Sequence, residues 1–189
     1  MGNVQTSITA PLPLSADDLQ VLSYTTHYTP KEINHLRDQF YRDVGGPSLS
    51  AEDFLIGAEA CGIRSEAVRY MLLNAFDADG DNFISTFEFI KATLTMTKGT
   101  DAEKLDFAFK MYDVRRCNTI FYNDALQILK GLEKSFGMFS VPGEEALLSS
   151  AEMAERLFRG ARQLCKVEFI NFVRMNPSVI SGLELTKKP

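Results

Sequence analysis

The sequence predicts an all-α chain built from four helix-loop-helix units in two pairs, and three observations predict it. Serine and threonine recur just ahead of apolar residues at helical spacing, the pattern of capped helix N-termini. The helices so marked leave little room for strands. A unit also repeats along the chain: an aromatic residue, a loop, an aliphatic residue, then an acidic residue four positions on. Phe76, Ile84 and Glu88 are matched without a gap by Tyr112, Ile120 and Asp124. Phe40, Leu49 and Asp53 form a copy one residue longer, and Phe158, Leu164 and Glu168 one two residues shorter.

Residues 1–29 read as an arm, rich in Ser, Thr and Pro, with a short helix around Ala16–Ser23. Thr29, with Glu32 three residues later, opens a helix that should stop before Gly45, Gly46 and Pro47. Ser50 caps a segment through Ala60, and Ser65 caps one through Phe76. Further helices are expected at Thr86–Met96, Asp101–Tyr112, Tyr122–Glu133, Glu144–Phe158 and Val167–Arg174. Thr97 to Thr100 reads as the linker between halves, and Ser135–Gly143 as the longest internal loop. The organisation is therefore an arm, an N-lobe over 30–97, a C-lobe over 98–175 and a tail over 176–189.

With 189 residues and 45% hydrophobic composition, the chain can bury a core without covalent staples. A net charge of −5 excludes a general nucleic-acid binder. The excess acid lies within residues 31–97, whereas 101–175 is balanced. Cys61, Cys117 and Cys165 are odd in number and far apart, which indicates neither a disulfide framework nor a zinc site and suits a reducing cytoplasm. No apolar run reaches transmembrane length. No phosphate-binding glycine loop, G-x-S-x-G or H-E-x-x-H is present, and His27 and His35 stand alone, so no enzyme is expected.

The acid is concentrated in residues 77–88, DADGDNFISTFE. Asp77, Asp79, Asp81 and Ser85 supply side-chain oxygens at loop positions 1, 3, 5 and 9, Phe83 offers its backbone carbonyl, and Glu88 supplies a carboxylate at position 12. Calcium takes six to eight oxygens, and this alternation in a turning loop converges them. Asn82 holds position 6, where the calcium loop prefers glycine; asparagine is the side chain most tolerant of the left-handed backbone needed there. One calcium ion is expected, at a site that magnesium could also occupy at rest. In the third copy, Arg115, Cys117 and Phe121 replace ligands, and two arginines oppose a divalent cation. The first copy has Gly-Gly-Pro in place of ligands, and the fourth is truncated and carries Arg159 and Arg162.

These residues resemble the EF-hand superfamily, and within it the neuronal calcium sensor group of recoverin and visinin-like proteins, over roughly residues 1–185. The resemblance is carried by FYRDVGGPSLSAEDF, FDADGDNFISTFEFIKA, TKGTDAEKLDFAFKMYD and NPSVISGLEL. It implies short two-stranded contacts between paired loops through their position-8 residues, here Leu49 with Ile84 and Ile120 with Leu164. Two departures stand out. Val44-Gly45-Gly46-Pro47 replaces the family's Cys-Pro pair, and the family's third hand binds calcium where this one lacks ligands.

MGNVQT fits the N-myristoylation pattern with Gly2 as acceptor, which the resemblance strengthens. One myristoyl chain gives only reversible membrane binding, so a cytoplasmic protein associating peripherally with membranes is expected. Phe and Met recur on the helices, most of them as core, and the resemblance implies an apolar groove for a target protein helix. Two roles are weighed: a calcium sensor that changes its apolar exposure, and a constitutive regulatory clamp of the calcineurin-B or light-chain type with a static ion. A calcium buffer is disfavoured because one site is poor capacity.

Overall fold

The computed structural model of the chain describes residues 14–26, 28–137, 139 and 147–176. Among the described residues the order is α1 (Ala16–Thr26), α2 (Pro30–Val44), β1 (Ser48–Ser50), α3 (Ala51–Ala60), α4 (Glu66–Phe76), β2 (Phe83–Ser85), α5 (Thr86–Lys98), α6 (Asp101–Tyr112), β3 (Thr119–Phe121), α7 (Tyr122–Phe136), α8 (Ser150–Phe158), β4 (Gln163–Cys165) and α9 (Lys166–Met175). The described residues are all-α with two short strand pairs, the class expected from the sequence.

Local chemistry sets most helix ends. Thr29 and Glu32 form a reciprocal capping box at the start of α2, which ends at Gly45 in left-handed conformation, φ 76°. Ser50 and Ser65 accept from the backbone N–H groups of Asp53 and Val68 to cap α3 and α4. Thr100 and Glu103 form the box that opens α6. Helix α5 runs on to Lys98, so the expected linker shrinks to Gly99 and Thr100.

One helix differs from expectation. Of the segment expected to be helical from Glu144, residues 144–146 lie outside the described residues, 147–149 are not helical, and α8 begins at Ser150. Leu148 exchanges both backbone hydrogen bonds with Phe139, at 2.9 and 2.7 Å, a strand-like bridge that a helix at 148 would forbid. Ser149 and Glu152 then supply the capping box.

The loops pair as the repeat implies. Strands β1 and β2 are antiparallel with Leu49 opposite Ile84, and β3 and β4 with Ile120 opposite Leu164. Ile84 and Ile120 are fully buried. Burying such a side chain contributes roughly 1.5–3 kcal/mol to holding each pair of loops together.

Packing does not divide the chain cleanly at residues 98–100. Leu22, Ile33, Ile90 and Leu94 join α1, α2 and α5 in one small core. The largest core places Val68, Met71, Leu72 and Ala75 of α4 among apolar residues of α6 to α9. Helix α7 comes so close to α4 that a Cβ on Gly131 would lie 2.7 Å from Val68 Cγ2 and collide with Ser65 Oγ. An aromatic row also crosses between the halves: Phe40 to Phe89 at 4.8 Å, Phe89 to Phe76 at 6.0 Å and Phe76 to Phe107 at 6.3 Å.

Candidate metal centre

Loop 77–88 hangs between the C-terminus of α4 and the start of α5. Asp77 caps α4 and is buried, and its carboxylate comes together with those of Asp79 and Asp81, with ligand oxygens all within 4.8 Å of one another. Converging carboxylates repel, so the backbone must hold them. Gly80 N–H donates to Asp77 Oδ1 at 2.7 Å and Asn82 N–H to Asp77 Oδ2 at 3.3 Å. Asp81 N–H donates to Asp79 Oδ1 at 3.1 Å, and Phe83 N–H to Asp81 Oδ1 at 2.8 Å. Asn82 takes the left-handed conformation, φ 68°, that a glycine would otherwise supply. Its carbonyl accepts from Ala51 N–H at 2.9 Å, which ties this loop to the first unit.

Glu88 spans both ends of the loop. Its Oε1 accepts from Ala78 N–H at 2.8 Å, and its Oε2 accepts from Ser85 N–H at 2.9 Å and the Ser85 hydroxyl at 2.7 Å. Ser85 Oγ in turn accepts from Glu88 N–H, so both residues form the capping box of α5. Glu88 stands outside the tight group of three aspartates, as the first-turn acid of the outgoing helix. Three converged carboxylates, a hydroxyl and a fourth carboxylate in one loop are an all-oxygen donor set that suits a hard cation.

The third loop, residues 113–124, keeps the same backbone with a different charge. Asp113 Oδ1 and Oδ2 accept from the N–H groups of Cys117 at 3.1 Å and Asn118 at 2.7 Å, as Asp77 does with its own loop. Left-handed residues fall at positions 4 and 6 in both loops: Gly80 and Asn82 in one, Arg116 and Asn118 in the other. In place of a cation-binding set, Arg115 donates to Asp124 through Nε and Nη2 and lies 4.3 Å from the Phe121 ring. The Asp124 carboxylate raises the Arg115 guanidinium above its ordinary range.

In the first loop Ser50 donates to Asp53 at 2.6 Å, and the short fourth loop turns through left-handed Arg159 and Gly160. Among the described residues, no group of His, Cys, Asp or Glu other than Asp77, Asp79 and Asp81 gathers in this way.

No family model matches the chain. It is similar to calcium-binding protein NCSA of Dictyostelium discoideum, 27% identical over 67% of this chain and 68% of that protein. Guanylyl cyclase-activating protein 2 of Gallus gallus is 30% identical over 66% of this chain and 67% of its own length. The chain belongs to the neuronal calcium sensor group of the EF-hand superfamily. Neuronal calcium sensor 1 of Lymnaea stagnalis aligns along most of both chains, 26% identical over 91% of this one and 93% of that one.

In EF-hand terms, the second hand brings together the carboxylates of Asp77, Asp79 and Asp81, whereas the third has Arg115, Cys117 and Phe121 at positions 3, 5 and 9. The lipidation candidate Gly2 lies outside the described residues. Among the described residues no helix is long and apolar enough to cross a membrane. Beside Glu88, a cleft of about 410 Å³ opens between α4, α5 and α6, lined by Phe76, Phe87, Ala92 and Phe107. One residue at the site escaped sequence reasoning. Arg116, counted there only as a repulsive charge in the third loop, reaches Asp77 in the second. Its position in the repeat, with a glycine at the equivalent place of the second hand, was the available signal.

Proposed function

We propose that this EF-hand protein is a calcium sensor that binds one ion in its second hand and presents an apolar surface to a target helix or a membrane. The ligands are the side chains of Asp77, Asp79, Asp81, Ser85 and Glu88 and the carbonyl of Phe83, with magnesium as the resting occupant. The convergence of Asp77, Asp79 and Asp81 within 4.8 Å carries the reading, and the sensor names of the relatives support it.

Bound there, calcium supplies a divalent charge able to draw a two-oxygen carboxylate. Glu88 is the residue that would answer it, because it sits in the first turn of α5 and already lies over the loop backbone. A shift of Glu88 moves the start of α5, which forms one wall of the cleft lined by Phe76, Phe87 and Phe107. Myristoylation of Gly2 would add reversible membrane attachment.

Calorimetry with calcium against a magnesium background, read together with a fluorescent probe of apolar surface, tests this. One tight calcium and a probe response are expected, both abolished by Glu88→Gln. Glutamine at that helix position preserves the capping box, so the loss would report ligation and not unfolding. Calcium binding with no probe response would refute the sensor. It would support a permanent clamp with a static ion, the reading favoured by the arginine already closing the third loop. Mass spectrometry of the native N-terminus tests the lipid.

A further inference from the structure

Arg116 and Gly80 hold the fourth position of their respective loops, and both backbones are left-handed, φ 54° and 82°. The Arg116 side chain leaves its own loop and lies over Gly80, where a Cβ would stand 2.5 Å from Nη1. From there Nε donates to Asn74 Oδ1 at 2.8 Å, and Nη2 donates to the Asp77 carbonyl at 2.6 Å and stands 3.2 Å from Asp77 Oδ2. Asn74 completes the circuit by donating from Nδ2 to the carbonyls of Lys110 and Asp113, at 2.5 and 3.0 Å. The first residues of the two central loops, Asp77 and Asp113, are thus joined through Asn74 and Arg116. The absence of a side chain at Gly80 is what admits the guanidinium.

We propose that Arg116 sets the calcium affinity of the second hand by competing with the ion for Asp77, so that ion binding loosens this clasp between the second and third hands. The proposal rests on residues 77–88 being a calcium site. Asp77 has one carboxylate, its side chain only 4% exposed, and the Arg116 charge sits against one of its oxygens. A cation held by the loop at ordinary calcium–oxygen distance would stand about 6 Å from that guanidinium. Even at the dielectric constant of water, a double and a single positive charge so placed repel by about tenfold in binding constant. The arginine side chain is 37% exposed and can release into solvent, whereas the loop carboxylates cannot move away. Coupling is reciprocal: if Arg116 weakens calcium binding, calcium weakens the Arg116 pairing by the same factor.

The test compares the full chain with Arg116→Gln and Arg116→Lys by calcium calorimetry at low and high salt, and follows the Arg116 Nε–H signal of the unsubstituted protein by NMR. Arg116→Gln is expected to bind one calcium about tenfold more tightly at low salt, the gap narrowing in about 1 M salt as screening shortens to roughly 3 Å. Arg116→Lys, which keeps the charge, stays close to the unsubstituted affinity. The Nε–H signal shifts and exchanges faster when calcium is added, a reading that needs no variant to fold. Equal or weaker binding by Arg116→Gln, or an Nε–H signal indifferent to calcium, overturns the proposal. An unsubstituted protein that binds no calcium overturns the site itself and this inference with it. Calcium binding by that protein with no effect of Arg116→Gln overturns the clasp alone.

Discussion

Arg115 closes the third hand upon Asp124, donating from Nε to Oδ2 at 2.6 Å and from Nη2 to Oδ1 at 3.1 Å. The residue at position 3 of the loop supplies the cation that the residue at position 12 would otherwise receive from solution. A guanidinium is planar and presents two parallel donors, so the pair fixes geometry as well as charge. Together with the N–H groups folded onto Asp113, it keeps the loop in calcium-loop form and lets Ile120 meet Leu164.

The third hand should therefore regain an ion when its ligands return. Arg115→Asp combined with Cys117→Asp places carboxylates at positions 1, 3, 5 and 12 on a backbone that already has the required turns. Calorimetry should show a second calcium, weaker than the first because Asp124 is shorter than the glutamate of the second hand and Phe121 leaves position 9 without a side-chain ligand.

Ser85 has two tasks in the second hand, one as an expected oxygen donor and one as the cap of α5. Removing the hydroxyl by Ser85→Ala deletes the bonds to Glu88 N–H and Glu88 Oε2. Loss of an N-cap costs about 1 kcal/mol, which for a chain of this size corresponds to roughly 2–4 °C in Tm. Thermal unfolding monitored by circular dichroism in calcium-free buffer should show that decrease.

Gly131 makes a prediction whose sign distinguishes propensity from packing. Alanine in mid-helix is favoured over glycine by roughly 1 kcal/mol. A Cβ there would collide with Ser65 Oγ and press on Val68, and overpacking costs about 1–3 kcal/mol. Gly131→Ala should thus lower stability in urea titration. Because α4 and α7 share one core, unfolding should remain a single transition.

Glu32 gives the fold a dependence on acid. The backbone N–H and hydroxyl of Thr29, and then Lys98 Nζ at 3.0 Å, hold its carboxyl down from 4.5 to about 2. A carboxyl depressed in the folded state stabilises the fold above about 4.5, and that contribution disappears as pH falls from there through about 2. Glu32→Gln keeps the capping geometry and removes the titration. The difference in Tm between the two proteins should shrink steadily over that window, as read by thermal scans at stepped pH.

Much of this was written locally. Thr29, Ser50 and Ser65 announced their helices because a cap requires only a hydroxyl and a backbone N–H three residues away. The late start of α8 was not legible, since the bridge from Leu148 to Phe139 is a pairing between segments, and periodicity carries no information about partners.

By itself the sequence determined the four units, most of the caps and the one loop rich in oxygen donors, while the pairing of Leu49 with Ile84 and Ile120 with Leu164 was expected only from the family resemblance. The units, caps and loop follow from spacing along the chain, where the 3.6-residue helix period and the loop length fix which groups can meet. Tertiary structure alone decided that α4 is shared with the second half, that Gly131 admits α7, and that Arg115 and Arg116, adjacent in sequence, serve different loops. A left-handed backbone at Arg116 sends its side chain away from its neighbour's, and only the approach of the second hand, with no side chain on Gly80, provides Asp77 as its partner.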